Sequence, residues 1–188
     1  MELNTLIMSK LLFLFYKYYC MKKIIALLSL TFLFSCNDGD FDVPAFEFSD
    51  TVYNCDENNS NYTLYRLSDT EALIVTLTTN QIKNEVSTSV ISTNINLDNV
   101  IYRTFSSDIS GNYFCEDIPP VSPTVLSNWT GVSGTDNLIL IETVEELNGT
   151  SALIGYKHTI TFQNLTLENG NETLTYTETD FGSFVTSL

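Results

Sequence analysis

His158 is the single histidine of the chain and the first residue to weigh as a catalyst. With a serine and an acid it would make a nucleophilic triad, in which imidazole takes the hydroxyl proton. The local pattern argues for a packing role instead. Tyr156, His158, Ile160 and Phe162 fall in phase on one face of a strand, so the ring is expected to be packed and hydrogen-bonded in an interior. Gly131-Val132-Ser133-Gly134 lacks the Gly-x-Ser-x-Gly spacing of a nucleophile elbow. Neither a phosphate-binding glycine loop nor a His-Glu-x-x-His motif occurs. Carboxylate pairs for glycoside hydrolysis are always available among 23 acidic residues, so they discriminate little. Asp38, Asp40 and Asp42 have the spacing of EF-hand ligands, but Val43 stands where that loop needs glycine and Ser49 where it needs glutamate. Trp129, the only tryptophan, follows Pro123 and Ser127-Asn128. In a loop its ring would stack on a sugar or a partner; the commoner fate of so large an aromatic is to plug one end of a domain.

The amino-terminal segment carries more information. From Met21 the chain reads Met-Lys-Lys, then an apolar run over 24–34, then Ser35 and Cys36, which is the layout of a secretory signal. The run is shorter than the roughly 18–20 residues a spanning helix needs. Leu33-Phe34-Ser35-Cys36 resembles a bacterial lipobox, although Phe34 is bulkier than that pattern prefers. The resemblance implies that Cys36 is diacylated, the preceding peptide removed and the new amino terminus acylated. More than one acyl chain gives stable anchoring, at about 0.8 kcal/mol per buried methylene. Residues 1–20, with a second short apolar patch at 11–16, read as an over-extended start with Met21 the initiator. The organisation expected is therefore 1–20 extra, 21–35 signal, 36–42 a polar acidic tether and 43–188 one domain.

Charge and cysteine content bound the rest. The whole chain carries 8 basic and 23 acidic residues, a net charge of -15. Removing residues 1–35 takes away Glu2 and Lys10, Lys17, Lys22 and Lys23, which leaves 22 acids, four bases, 153 residues and a net charge of -18. Such a surface has nothing with which to track phosphates, so nucleic acid is excluded as a partner. It would also be repelled by anionic headgroups, so the lipid and not the protein face must hold it to a membrane. With Cys20 discarded and Cys36 acylated, Cys55 and Cys115 remain, and two cysteines in an exported domain predict one disulfide. A zinc site would need more Cys or His ligands than remain. No metal and no cofactor are expected.

The elements that must position these residues read as strands. The domain is rich in Thr, Ser, Asn, Val, Ile, Tyr and Phe, and short apolar runs alternate with Asn, Asp, Gly and Pro clusters. Leu73, Val75 and Leu77 alternate with Ile74, Thr76 and Thr78, and Leu174 and Tyr176 with Thr173, Thr175 and Thr177. Residues 138–141 are apolar on both faces, as in a central strand. The apolar phase is even over 156–162 and odd at Leu165 and Leu167, so it slips near Asn164, as a β-bulge would make it. Turns are expected at 56–61, 94–99, 107–111, 148–149 and 169–170, a crossing loop at 119–123, and at most one short helical turn within 123–129. The reading is an all-β, antiparallel β-sandwich of about eight or nine strands, with a closed lipocalin-like barrel as the alternative.

Tyr53-Asn54-Cys55, Ile101-Tyr102-Arg103, Asn112-Tyr113-Phe114-Cys115 and Tyr156-Lys157-His158-Thr159-Ile160-Thr161-Phe162, together with the lipobox, resemble envelope lipoproteins of the flavobacterial (Bacteroidota) type, over most of residues 36–188. That resemblance brings no established activity. It implies a cell-envelope lipoprotein of the outer membrane, on its periplasmic face or the cell surface, with one globular β domain. Asp50-Thr51-Val52 looks like the short O-glycosylation acceptor pattern of such exported proteins, with Thr51 as the acceptor. The expected function is non-enzymatic, binding a partner protein or glycan. An envelope glycan hydrolase and a carrier of a small apolar ligand are the alternatives.

Overall fold

The computed structural model describes residues 47–55, 61–116, 118 and 120–188. These fall within one compact unit, Pro44–Leu188. Nine strands account for the regular structure of the described residues: β1 (Tyr53–Cys55), β2 (Asn61–Ser68), β3 (Glu71–Thr78), β4 (Ile91–Asn94), β5 (Val100–Phe105), β6 (Val125–Gly131), β7 (Leu138–Leu147), β8 (Leu153–Asn169) and β9 (Glu172–Ser187). No helix occurs among the described residues. Every pairing is antiparallel, in the order β1-β2-β3-β5-β6-β8-β7-β4, with β9 on the other side of β8. The path does not close, so the fold is sandwich-like and the barrel alternative does not hold.

β8 is the hinge of this arrangement. Its first part pairs with β7 as far as Leu138↔Gln163, and its last part pairs with β6 at Gly131↔Leu167 and Thr130↔Glu168. One strand thus belongs to two layers, and it turns between them at Asn164, whose φ is 50°. Asparagine tolerates that left-handed conformation better than most residues. The buried phase changes there from His158, Ile160 and Phe162 to Leu165 and Leu167, where the sequence pattern slips. The β8–β9 register runs unbroken across the bend; the ladder shift lies between Ile160 and Thr161, opposite Phe181 and Gly182 of β9. Gly182 has a φ of 111°.

The two layers enclose Leu64, Leu73, Val75 and Leu77 from β2 and β3, Val100, Tyr102 and Trp129 from β5 and β6, and Ile139, Ile141, Ile160, Phe162 and Phe181 from β7, β8 and β9. A second, smaller cluster covers the outer face of the first layer. Tyr65, Leu67, Ala72, Ile74 and Phe105 are buried there under Tyr113, with Phe114 and Ile109 packed against them. Residues 106–116 form this cover, pinned by the Cys55–Cys115 disulfide. The Tyr65 hydroxyl donates to the Gly111 carbonyl, and Tyr113 donates to the Pro123 carbonyl at 3.1 Å. β3 is therefore buried on both faces, where alternation alone predicts one polar face.

Candidate functional site

The two ends of the sandwich differ. At one end β2 turns into β3, β5 finishes and β6 begins, as Glu71↔Thr104 and Thr104↔Ser127 place them side by side. At the other end β3 finishes at Thr78, and residues 79–90 lead to β4. This second connection forms an open depression of about 290 Å³. Lys83 and Glu85 supply one cation and one anion to its wall, Ser87, Thr88 and Ser89 supply hydroxyls, and Val86 and Ile91 a small apolar surface. Lys83 Nζ lies 3.4 Å from the Glu85 carboxylate. Both side chains are more than half exposed, so this pair contributes little to stability.

The loop is held by polar groups at chosen points. Gln81 Oε1 accepts from the Thr78 amide at 2.7 Å and its hydroxyl at 2.9 Å, closing a turn that buries Ile82. Ser87 exchanges backbone and hydroxyl bonds with Thr143 of β7, the Thr143 amide donating to Ser87 Oγ at 2.9 Å. Asn84 reaches β9: its amide nitrogen donates to the Ser187 carbonyl at 3.4 Å, and its Oδ1 accepts from the Thr186 hydroxyl at 2.6 Å. Two pins, three residues apart, therefore fix the loop to two different strands. Pre-organisation of this kind lowers the ordering cost of binding.

Beneath the loop lies His158, fully buried. Its Nδ1 is 2.9 Å from Thr143 Oγ1 and its Nε2 is 3.0 Å from Thr186 Oγ1. The proton positions follow from the partners. Asn84 Oδ1 can only accept, so the Thr186 hydroxyl spends its proton there and must accept from His158 Nε2–H. Nδ1 is then the acceptor for the Thr143 hydroxyl. The result is one directed chain, Thr143 to His158 to Thr186 to Asn84 to the Ser187 carbonyl. Burial lowers the imidazole pKa to about 4, so the ring is neutral at pH 7. Its partners are two threonines, and this arrangement holds a loop in place; it is not that of a general base with its orienting acid.

Sequence reasoning placed His158 in the interior but missed Asn84, Ser87, Thr143 and Thr186. A usable signal existed for the threonines. Thr143 is in phase with the buried Ile139 and Ile141, and Thr186 with Phe184, and a hydroxyl on an apolar face requires a buried partner.

Trp129 is not in a loop. It lies within β6, paired with Tyr102, and is 5% exposed in the main core. Of its two candidate roles only packing survives, because the indole offers no face to a sugar or a partner. The helical turn considered within 123–129 does not form, since residues 125–129 belong to β6 and pair with β5. Thr51 is exposed, ahead of β1, and accessible to a modifying enzyme. Cys36 and the tether lie outside the described residues, as does most of the turn at 56–61.

A second constellation sits at the β2–β3 end. Tyr102 and Tyr176 face Glu71; burial, with the carboxylate beside them, pushes Tyr176 up to about 12 and Tyr102 further. Phe48 packs edge-on against Tyr102 at 6.5 Å. No group of three or more His, Cys, Asp or Glu side chains suited to a metal occurs among the described residues. The same residues contain no helix long and apolar enough to cross a membrane. A scan against protein-family models finds no matching family, and searches of curated proteins and of solved structures find no similar chain.

Proposed function

We propose that this protein is an exported cell-envelope lipoprotein, held to the outer membrane by acyl chains on Cys36, whose β domain binds a partner protein or glycan without transforming it. The observation that carries the reading is the Cys55–Cys115 disulfide, which joins positions 60 residues apart. Disulfides persist in oxidising compartments, and with a signal-like segment ending in Cys36 this one supports export. The sealed, neutral histidine supports binding over hydrolysis, and an interior filled by side chains weighs against an apolar carrier. The depression over residues 83–91 is the place for the ligand, since it is concave, mixed in polarity and rigidly carried.

Labelled-fatty-acid incorporation into the wild type and Cys36→Ala tests the anchor. Label and membrane fractionation are expected in the wild type and lost in the variant. Continued lipidation of Cys36→Ala would sink the reading.

A further inference from the structure

Glu47 and Phe48 enter the domain at the β2–β3 end. The Ser49 amide donates to the Leu67 carbonyl at 3.0 Å, and the Arg66 guanidinium donates to the carbonyls of Phe48 and Ser49 at 3.0 and 2.8 Å. Residue 47 therefore lies at that end. Only ten residues lie between Cys36 and Glu47, a reach of at most about 40 Å when fully extended.

Near the same end lie some of the exposed apolar side chains of the described residues, Val121 and Leu126 among them. Residues 106–116 run from β5 out to the disulfide, and the chain then returns to β6. The return leg reaches the β2–β3 end where the Ser106 amide donates to the Thr124 carbonyl at 2.9 Å and Phe105 pairs with Val125. Along it Ile118 is 82% exposed, Val121 92% and Leu126 67%. Single exposed aliphatics are ordinary, but Ile118, Val121 and Leu126 are concentrated in the chain that enters β6 and in the start of that strand.

We propose that residues 120–126 dock on the lipid bilayer, inserting Val121 and Leu126 at the headgroup boundary and directing the 83–91 depression away from the membrane. The inference rests on the Cys36 anchor. The length of the tether and the place where it joins the domain favour lipid as the occupant. Charge sets the kind of bilayer: the Ile109 amide donates to the Asp69 carbonyl at 3.0 Å, which puts Asp69 and Asp108 at this end, so it suits a zwitterionic surface and is repelled by an anionic one. The hydrophobic contact is short ranged and works only because the tether holds the domain close, a gain in effective concentration.

The test uses the full lipidated protein in phosphatidylcholine vesicles with brominated acyl chains. Val121→Trp is expected to shift to shorter emission wavelength and to lose at least half its added fluorescence to the bromines, with wild-type Trp129 emission subtracted. Val86→Trp, at the opposite end, is expected to be unquenched. Adding an anionic lipid at low salt should reduce the quenching severalfold. Unquenched Val121→Trp on vesicles that still carry the protein in flotation would overturn the docking and leave the anchor standing. Failure to float would overturn both. A blue shift that needs no vesicles and grows with protein concentration would assign the patch to a second copy of the chain and also overturn the proposal; Leu126→Trp repeats the measurement should Val121→Trp fold poorly.

Discussion

His158 Nε2 lies 3.0 Å from Thr186 Oγ1, and this hydrogen bond joins the core of the domain to the loop that forms its depression. A charged imidazole there would have a buried Thr143 hydroxyl facing a second donor and no anion to offset it. The pKa of about 4 in the folded protein lies below the ordinary value of 6.5, so the unfolded chain binds the proton more tightly. Stability from this site is complete above pH 6.5 and is lost as pH falls toward 4. Within that window it changes by up to about 1.4 kcal/mol per pH unit. Urea midpoints measured between pH 4 and 7.5 should show this slope, and His158→Gln should flatten it. Nitrogen-15 shifts of the ring should report the neutral Nε2–H tautomer at pH 7; an Nδ1–H form would contradict the directed chain.

Thr186→Val keeps the side chain's shape and removes both its bonds. His158 Nε2–H and Asn84 Oδ1 then lose partners, at a cost of about 1–3 kcal/mol for a buried group left unsatisfied. The local effect should exceed the global one. Amide exchange of residues 83–88 is expected to accelerate more than that of β3 or β5, and uniform acceleration would count against pinning.

Cys115→Ser frees residues 106–116 from β1. A loop of 60 residues loses about 4 kcal/mol of unfolded-state constraint in the chain-entropy model. The variant should unfold at lower denaturant, with reduced wild type behaving alike. Tyr113 and Phe114, which pack edge-on at 5.1 Å in the cover, should gain mobility on the same scale. An unchanged midpoint after reduction would show that the aromatic contacts alone hold the cover.

Much of this fold was legible because period-two alternation depends only on which face is buried. Leu73, Val75, Leu77, Leu174 and Leu165 sit where their phase puts them. The slip at Asn164 was visible too, because a strand that changes layers must change the parity of its buried positions. Alternation cannot reveal a face covered by a distant loop. Ala72 and Ile74 are buried by residues about 35 positions on in the chain. Trp129 misled for a related reason: Pro123 and Ser127-Asn128 read as turn chemistry, but cross-strand contact with Tyr102 overrides local preference. The depression was illegible because Asn84 and Ser87 look like any loop residues until Thr143 and Thr186 are placed beside them.

Arg66 closes the open edge of the sandwich. Its side chain is 12% exposed and donates to four backbone carbonyls, those of Phe48, Ser49, Asp180 and Phe181. The last two flank the shift in β9, where ladder partners are displaced. Lysine keeps the charge but has one nitrogen and cannot span four oxygens. Arg66→Lys should cost about 2–4 kcal/mol, at roughly 1.5–3 for each charge-assisted bond lost less what the ammonium recovers. Protease cleavage near residues 47–50 should rise in parallel. Equal stability of the two proteins would show that water satisfies these carbonyls as well as the guanidinium does.

Gly155 and Gly149 make a matched pair for testing how tightly β8 and β9 are joined. A Cβ on Gly155 would collide with the Thr186 carbonyl oxygen, a backbone atom that no rotamer change can move. Relief requires sliding β9 away from β8 at Gly155↔Ser187, next to the bond between Thr186 and His158. Gly149, in the β7–β8 turn, has nothing within 4 Å of the same position. Gly155→Ala should therefore cost more than about 2 kcal/mol, at the upper end of overpacking changes, and should speed amide exchange at residues 83–88 through the Asn84 pin. Gly149→Ala should stay within about 0.5 kcal/mol of the wild type, because an open site gains only reduced unfolded-state entropy. Paired urea titrations at pH 7 read both values. A Gly155→Ala protein as stable as Gly149→Ala would mean that β9 is free to slide, and the rigid mounting of the depression would fall with it.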